Sequence, residues 1–188
     1  MEVIVINGTK RESKGTAGAT AVRNAGQVPC IMYGNGDPIA FSADPAEFRK
    51  LVYTPSFKLA EIKMDGKSHK CILKEIQFHP TTEAVHHLDF LELVAGKKLK
   101  AEIPVHFSGS SVGVKNGGKF IARMRSVKIL TTPEKLVDEV VCDITTLELG
   151  ETLRVRDIQL QEGVEILNSG AVPICAIEIP RALRGAKA

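Results

Sequence analysis

FKLAEIKMDGKSHKCILKEIQF, residues 57–78, reads as a β-hairpin, and that reading sets the fold class. Two strand-forming runs, Phe57–Met64 and Ser68–Phe78, flank Asp65-Gly66. That pair supplies the positive φ angles a tight primed turn demands. Strand signals continue outward in both directions: VIVI at 3–6 and Cys30–Tyr33 upstream, Val85–Val94 downstream. Two short helices interrupt them. Ala17–Ala25 is Ala-rich and is followed by Gly26, a residue type suited to a helix C-terminus. Asp44-Pro45-Ala46-Glu47 starts a second helix, with Asp to cap, Pro in the first turn and Glu at the third position. Phe48, Leu51 and Val52 then follow at helical spacing.

Ala95-Gly96-Lys97-Lys98 is small and charged and marks a domain boundary. The expected division is a first domain over 1–94, a β-rich domain over 97–182 and a short basic tail, 183–188. Beyond the boundary, strands are expected near 99–107, 120–130, 136–144, 152–156, 164–167 and 172–179. Gly109, Gly117-Gly118, Pro133, Gly150 and Gly163 mark the turns between them. Short strands at such even spacing predict a barrel or a sandwich. The chain is therefore read as mostly β with short helices.

The composition, 44% hydrophobic and 25% charged residues, is that of a globular protein with a core. No apolar run approaches the roughly 20 residues of a membrane span, so no membrane partner is expected. Glu2 and a run of only four apolar residues argue against a secretory signal. Cys30, Cys71, Cys142 and Cys175 form no CxxC pair and sit in apolar stretches, as reduced core residues of a cytoplasmic protein would.

Chemistry is concentrated near the start. Lys10, Arg11, Lys14 and Arg23 lie among small residues that cannot build a core, and VPCIMYG follows. Such an arm lets backbone approach closely while cations reach phosphate oxygens, although a basic loop is usually only solvated. Tyr33 ends its strand before Gly34-Asn35-Gly36, where it either stacks on a base or sugar, bonds a phosphate, or caps the fold. His86 and His87 are adjacent, so on a strand they face opposite sides and one must leave the core. Lys97–Lys128 holds eight basic residues against one acid, and Glu134–Glu165 three against nine. Either one face meets a polyanion or the two segments pair with each other.

Two patterns are decoys. Gly113–Lys119 fits GxxxxGK, but Phe120 follows where a Ser or Thr must bind magnesium. A strand signal also stands where a phosphate loop must open a helix. His69, Cys71, His79, His86 and His87 lack the close pairing of zinc ligands. No catalytic set, cofactor, metal or small-molecule substrate is expected.

KRESKG (10–15), AVRNAGQVPCIMYG (21–34), IQFHP (76–80) and HHLDF (86–90) together resemble the Ctc family, ribosomal protein twenty-five of the bacterial large subunit. IPVHFSG (103–109), GVKNGG (113–118) and DITTLELGETLRVRDI (143–158) resemble the second domain of its long form. The resemblance implies an N-terminal β-barrel of six-stranded type followed by a second β-rich domain. It implies a structural, ribosome-associated role: binding 5S rRNA through a widened minor groove, within the central protuberance. Neighbouring central-protuberance proteins would be partners, with 23S rRNA as a further contact. Carried over by position, Lys10, Arg11, Lys14 and Arg23 would contact phosphates. Tyr33, Gln77, His79, His87 and Asp89 would lie on or near the groove-facing surface, Asp89 either accepting from a guanine amino group or orienting His87. The chain departs from the family pattern at 16–21, which carries no Arg or Lys, and in its short basic tail. The alternatives are a stress-associated protein-interaction module off the ribosome and a hydrolytic or NTP-using enzyme.

Overall fold

The computed structural model describes residues 1–12, 15–158, 160 and 163–180. The chain divides into two compact units, Met1–Lys97 and Lys98–Ala188. The first contains strands β1 (Val3–Asn7) and β2 (Thr9–Lys10), helix α1 (Gly15–Asn24), strands β3 (Val28–Tyr33) and β4 (Ile39–Ala43), and helix α2 (Pro45–Val52). Strands β5 (Leu59–Met64), β6 (Lys67–Phe78) and β7 (Val85–Glu92) complete it.

The hairpin is present with the predicted turn: Asp65 and Gly66 have φ of 49° and 76°, and β5 pairs antiparallel with β6 from Leu59–Ile72 to Met64–Lys67. The hydrogen-bonded order is β1-β5-β6-β7-β3-β4-β2. Only Gly8 separates β1 from β2, so one bent N-terminal strand stands at both ends of that order. The sheet thereby closes as a barrel of six strands, the first bent in two. β1 runs parallel to β5, whereas β2 runs antiparallel to β4. The bend needs a glycine, because a Cβ at Gly8 would lie 2.7 Å from the Phe41 ring and 3.1 Å from Met64 Cγ.

Inside, Phe41 and Phe48 both pack on Phe90, with ring centroids 5.8 and 6.2 Å apart. All three are wholly buried, and burial of each such ring is worth about 1.5–3 kcal/mol. Phe48 arrives on α2, whose start is as expected: Asp44 Oδ1 accepts from the Ala46 amide at 2.8 Å. Glu47 of the same helix accepts from the Asn7 amide at 2.5 Å and from Asn7 Nδ2 at 3.0 Å, which ties α2 to β1. Helix α1 ends before Gly26, whose φ is 78°.

The second unit holds β8 (Leu99–Ser108), α3 (Val112–Lys115), β9 (Lys119–Ala122), β10 (Ser126–Thr131), β11 (Val140–Asp143), β12 (Thr152–Arg154), β13 (Glu165–Ile166) and β14 (Pro173–Glu178). They form two sheets, β11-β8-β10-β13 and β12-β14-β9. The strand expected over 120–130 is in fact two, one in each sheet. Arg123 and Met124 both donate their amides to the Ile174 carbonyl, and the chain then passes to the other sheet, where Arg125 O accepts from Val105 N. The strand expected over 136–144 is shortened to β11, with an irregular stretch and a bend at Asp138 ahead of it.

The two charged segments pair, as one of the two readings held. Basic β8 and β10 are flanked by β11 and β13 from the acidic stretch. Lys98 lies 3.7 Å from Glu165 and His106 3.7 Å from Glu139. All four cysteines are free and buried. Burial pushes the Cys71 thiol up to about 12 and raises Cys30 further.

Candidate nucleic-acid interface

β7 organises the candidate surface. Leu88 and Phe90 point into the barrel, so the alternation of the strand turns His87, Asp89 and Leu91 outward. Register extends this outward face to both sides. Gln77 of β6 stands opposite His87, and Glu75 opposite Asp89. On the other side Ile31 and Tyr33 of β3 stand opposite Asp89 and Leu91. The face therefore carries Gln77 and His87 near the β6–β7 turn and Tyr33 at the far end.

His87 Nδ1 lies 2.8 Å from Asp89 Oδ1. The pair is close in distance but poorly aligned for a hydrogen bond, since Nδ1 has no hydrogen-bond partner. The Asp89 carboxylate is therefore close to the His87 ring but leaves its Nδ1 unpartnered, and can accept from another donor on this face. Burial, then the negative charges of Asp89 and Glu75, raise the Tyr33 phenol above its ordinary value. Tyr33 remains a neutral donor at any physiological pH. His79 sits in the β6–β7 turn, where Nδ1 accepts from the Thr81 and Thr82 amides at 3.4 Å each. Its ring is 6.0 Å from that of His86.

Arg23, in the last turn of α1, donates from Nε to the His86 carbonyl at 3.1 Å. This bond holds the guanidinium beside the face and leaves its terminal nitrogens available. The imidazole of His86 is held below its ordinary pKa by desolvation first, then by the charge of Arg23, with His79 and His87 adding.

Arg11 follows β2 and donates its amide to Ala40 O at 3.0 Å. Its Nε and Nη1 are buried without a hydrogen-bond partner. It borders a cavity of about 570 Å³, also lined by Gly15, Ile31, Asp37, Pro38 and Ala40. Ile31 belongs to both the cavity and the outward face, so the two are continuous. Lys10 is exposed on β2, and Lys14 falls outside the described residues.

Sequence reading missed Glu75 and the Arg23 contact with the His86 carbonyl, and gave no sign that part of the Arg11 guanidinium is buried. Glu75 is two residues before Gln77, so the strand's alternation was enough to find it. The bond to the His86 carbonyl and the burial of Nε and Nη1 of Arg11 depend on contacts between elements distant in the chain, and carry no local signal.

The decoys have structural explanations. Gly113 and Gly118 leave no room for side chains: a Cβ at Gly113 would meet the Glu148 carbonyl carbon at 2.7 Å, and one at Gly118 would meet Ile177 Cγ2 at 2.5 Å. The amides a phosphate would need are occupied, Gly113 N by Leu147 O and Gly118 N by Gly113 O. Among the described residues no group of three His, Cys, Asp or Glu is placed to hold a metal ion.

Residues 6–90 match the family model described as Ribosomal L25p family, and residues 98–181 match that of ribosomal protein TL5, C-terminal domain. The chain is 41% identical to the large ribosomal subunit protein bL25 of Christiangramia forsetii, over 97% of this chain and 84% of that one. It is 37% identical to bL25 of Phocaeicola vulgatus, over 100% and 98% of the two chains. With bL25 of Cytophaga hutchinsonii the identity is 35%, over 98% and 95%.

Proposed function

The chain belongs to the bL25 family of large-ribosomal-subunit proteins, whose members are structural and not enzymes, and from that premise we propose that its barrel binds 5S rRNA. In this reading the outward face of β3, β7 and β6 lies along a minor groove of the RNA, and the protein braces the central protuberance of the subunit in the bacterial cytoplasm. The second unit meets neighbouring proteins there, with 23S rRNA as a further contact.

The observation that carries the reading is the Arg11 guanidinium. Two of its nitrogens are buried without an acceptor, a state that costs about 1–3 kcal/mol or more for a charged group. An anion supplied by a partner at the cavity mouth removes that cost, and an RNA phosphate has the required charge and geometry. The rest of the face fits a base-lined groove. Gln77, Tyr33 and the histidines can donate or accept. The acids Glu75 and Asp89 would repel phosphates but can accept from guanine amino groups, which the shallow A-form minor groove displays.

Helix α1 fixes the expected salt response. Between Thr16 and Val22 it carries no cation, so each phosphate contact missing there makes the slope of log affinity against log salt shallower by roughly 0.7–0.9. The test is a gel shift with 5S rRNA at two salt concentrations, against an excess of unrelated duplex RNA. Binding that survives the competitor and weakens with salt supports the proposal. Loss to the competitor, or no binding, overturns it.

A further inference from the structure

Tyr53, at the C-terminal end of α2, is 61% exposed, and Phe78, the last residue of β6, is 46% exposed. Their rings lie 6.5 Å apart between centroids and are inclined by 50°, forming an open wedge. Phe41, Phe48 and Phe90, by contrast, are wholly buried. The exposure of Phe78 has a local cause. Phe78 ends its strand, and the β6–β7 register shifts beside it, leaving His86 of β7 unopposed, so no neighbouring strand covers the ring. Arg49 and Lys50 are exposed in the last turn of α2. With Tyr53 and Thr54 they line a cavity of about 400 Å³. Thr54 Oγ1 donates to Lys50 O at 2.7 Å and fixes this corner. Among the described residues, neither Arg49 nor Lys50 is in an ion pair.

We propose that Tyr53, Phe78, Arg49 and Lys50 form a second RNA site, which takes an unpaired nucleotide with its base against the two rings and its phosphates on the two cations. Flat aromatic faces bind any base by stacking, and adjacent cations hold the backbone. An acidic protein segment would use the cations but not both ring faces. None of the four residues belongs to the face of β3, β7 and β6, so the site adds single-strand capture to a surface read as a duplex binder.

The test uses the full-length protein and a fluorescent single-stranded oligouridine of about ten nucleotides, followed by anisotropy at two salt concentrations. Tyr53→Ala and Phe78→Ala should each weaken binding roughly 5- to 150-fold, the range measured for loss of a stacking ring. Tyr53→Phe should retain binding, and Tyr53→Leu, which keeps apolar bulk but not the flat face, should lose it. Joint Arg49→Gln and Lys50→Gln should flatten the salt slope, while Val141→Ala, an exposed change in the second unit, should change nothing. Wild-type affinity in Tyr53→Ala and Phe78→Ala, absence of oligouridine binding, or competition by an oligoglutamate peptide would each overturn the proposal. Failure of 5S rRNA binding alone would leave these outcomes readable.

Discussion

Arg23→Ala tests the proposed interface most directly, because its effects on stability and on binding can be separated. The Arg23 Nε bonds the His86 carbonyl, and the terminal nitrogens are the part proposed to meet RNA. A charge-assisted hydrogen bond to phosphate contributes about 1–2 kcal/mol, so the 5S rRNA dissociation constant should rise roughly 5- to 30-fold at fixed salt. The salt slope should fall by about 0.7–0.9, since one charge is lost. The internal bond contributes separately, about 1 kcal/mol of stability, which thermal melts of the free protein measure. A third readout is the His86 imidazole, held low in part by the charge of Arg23. The sign is fixed by the direction of that shift: neutral His86 contributes its full stability above the ordinary 6.5, and the contribution is lost as pH falls through the lowered value. Removing Arg23 should move the imidazole titration partway back up, as NMR would follow. An unchanged dissociation constant in a normally folded Arg23→Ala protein would refute the assignment.

Four other outcomes are expected. Gly8→Val should destabilise the barrel by about 1–3 kcal/mol through overpacking, because its Cβ would meet the Phe41 ring at 2.7 Å; a wild-type urea midpoint would contradict this. A chain ending after Lys97 should give a cooperative melt alone, since the barrel core lies wholly within Met1–Lys97; a circular dichroism spectrum without β signal would count against it. The four buried thiols should resist a disulfide reagent at pH 8 and all react once the chain is unfolded, since burial keeps Cys30 and Cys71 protonated. Asp143 accepts from the Thr145 amide at 2.8 Å and from its hydroxyl, which together lower its pKa. Its stabilisation is present above the ordinary 3.8 and is lost as pH falls through the lowered value. Asp143→Asn should therefore melt earlier than wild type at pH 7, and the gap should close in acid.

Local chemistry made much of the first unit legible. Asp65-Gly66 and Asp44-Pro45 act through their own backbone preferences, which survive in any context, and the hairpin and α2 formed where they pointed. Closure of the barrel had no such marker. It depends on Gly8 meeting Phe41 and Met64, residues far away in the chain. The division of 120–130 into two strands escaped for a related reason: KFIARMRSVKI keeps a strand pattern throughout, and only the contact with Ile174 shows that it serves two sheets. Gln77, His87 and Asp89 were named from the family resemblance, and strand alternation accounts for their shared outward placement. The site was not legible where helix α1 delivers Arg23 to a carbonyl sixty-three residues away.

The closing strand is synthesised first and pairs late. Val3 must wait for Leu59 and Lys10 for Phe41 before either finds its backbone partner. Contacts so distant in sequence slow folding, because loop-closure entropy is lost before any pairing offsets it. During that interval VIVI at 3–6 is an unpaired, apolar strand edge of the kind that associates with other chains. Crowded synthesis therefore favours aggregation of nascent chains over release of soluble but unclosed barrels. A chain lacking its first eight residues would leave β5 and β4 as bare edges, and its defect would be insolubility before any loss of RNA affinity could be measured.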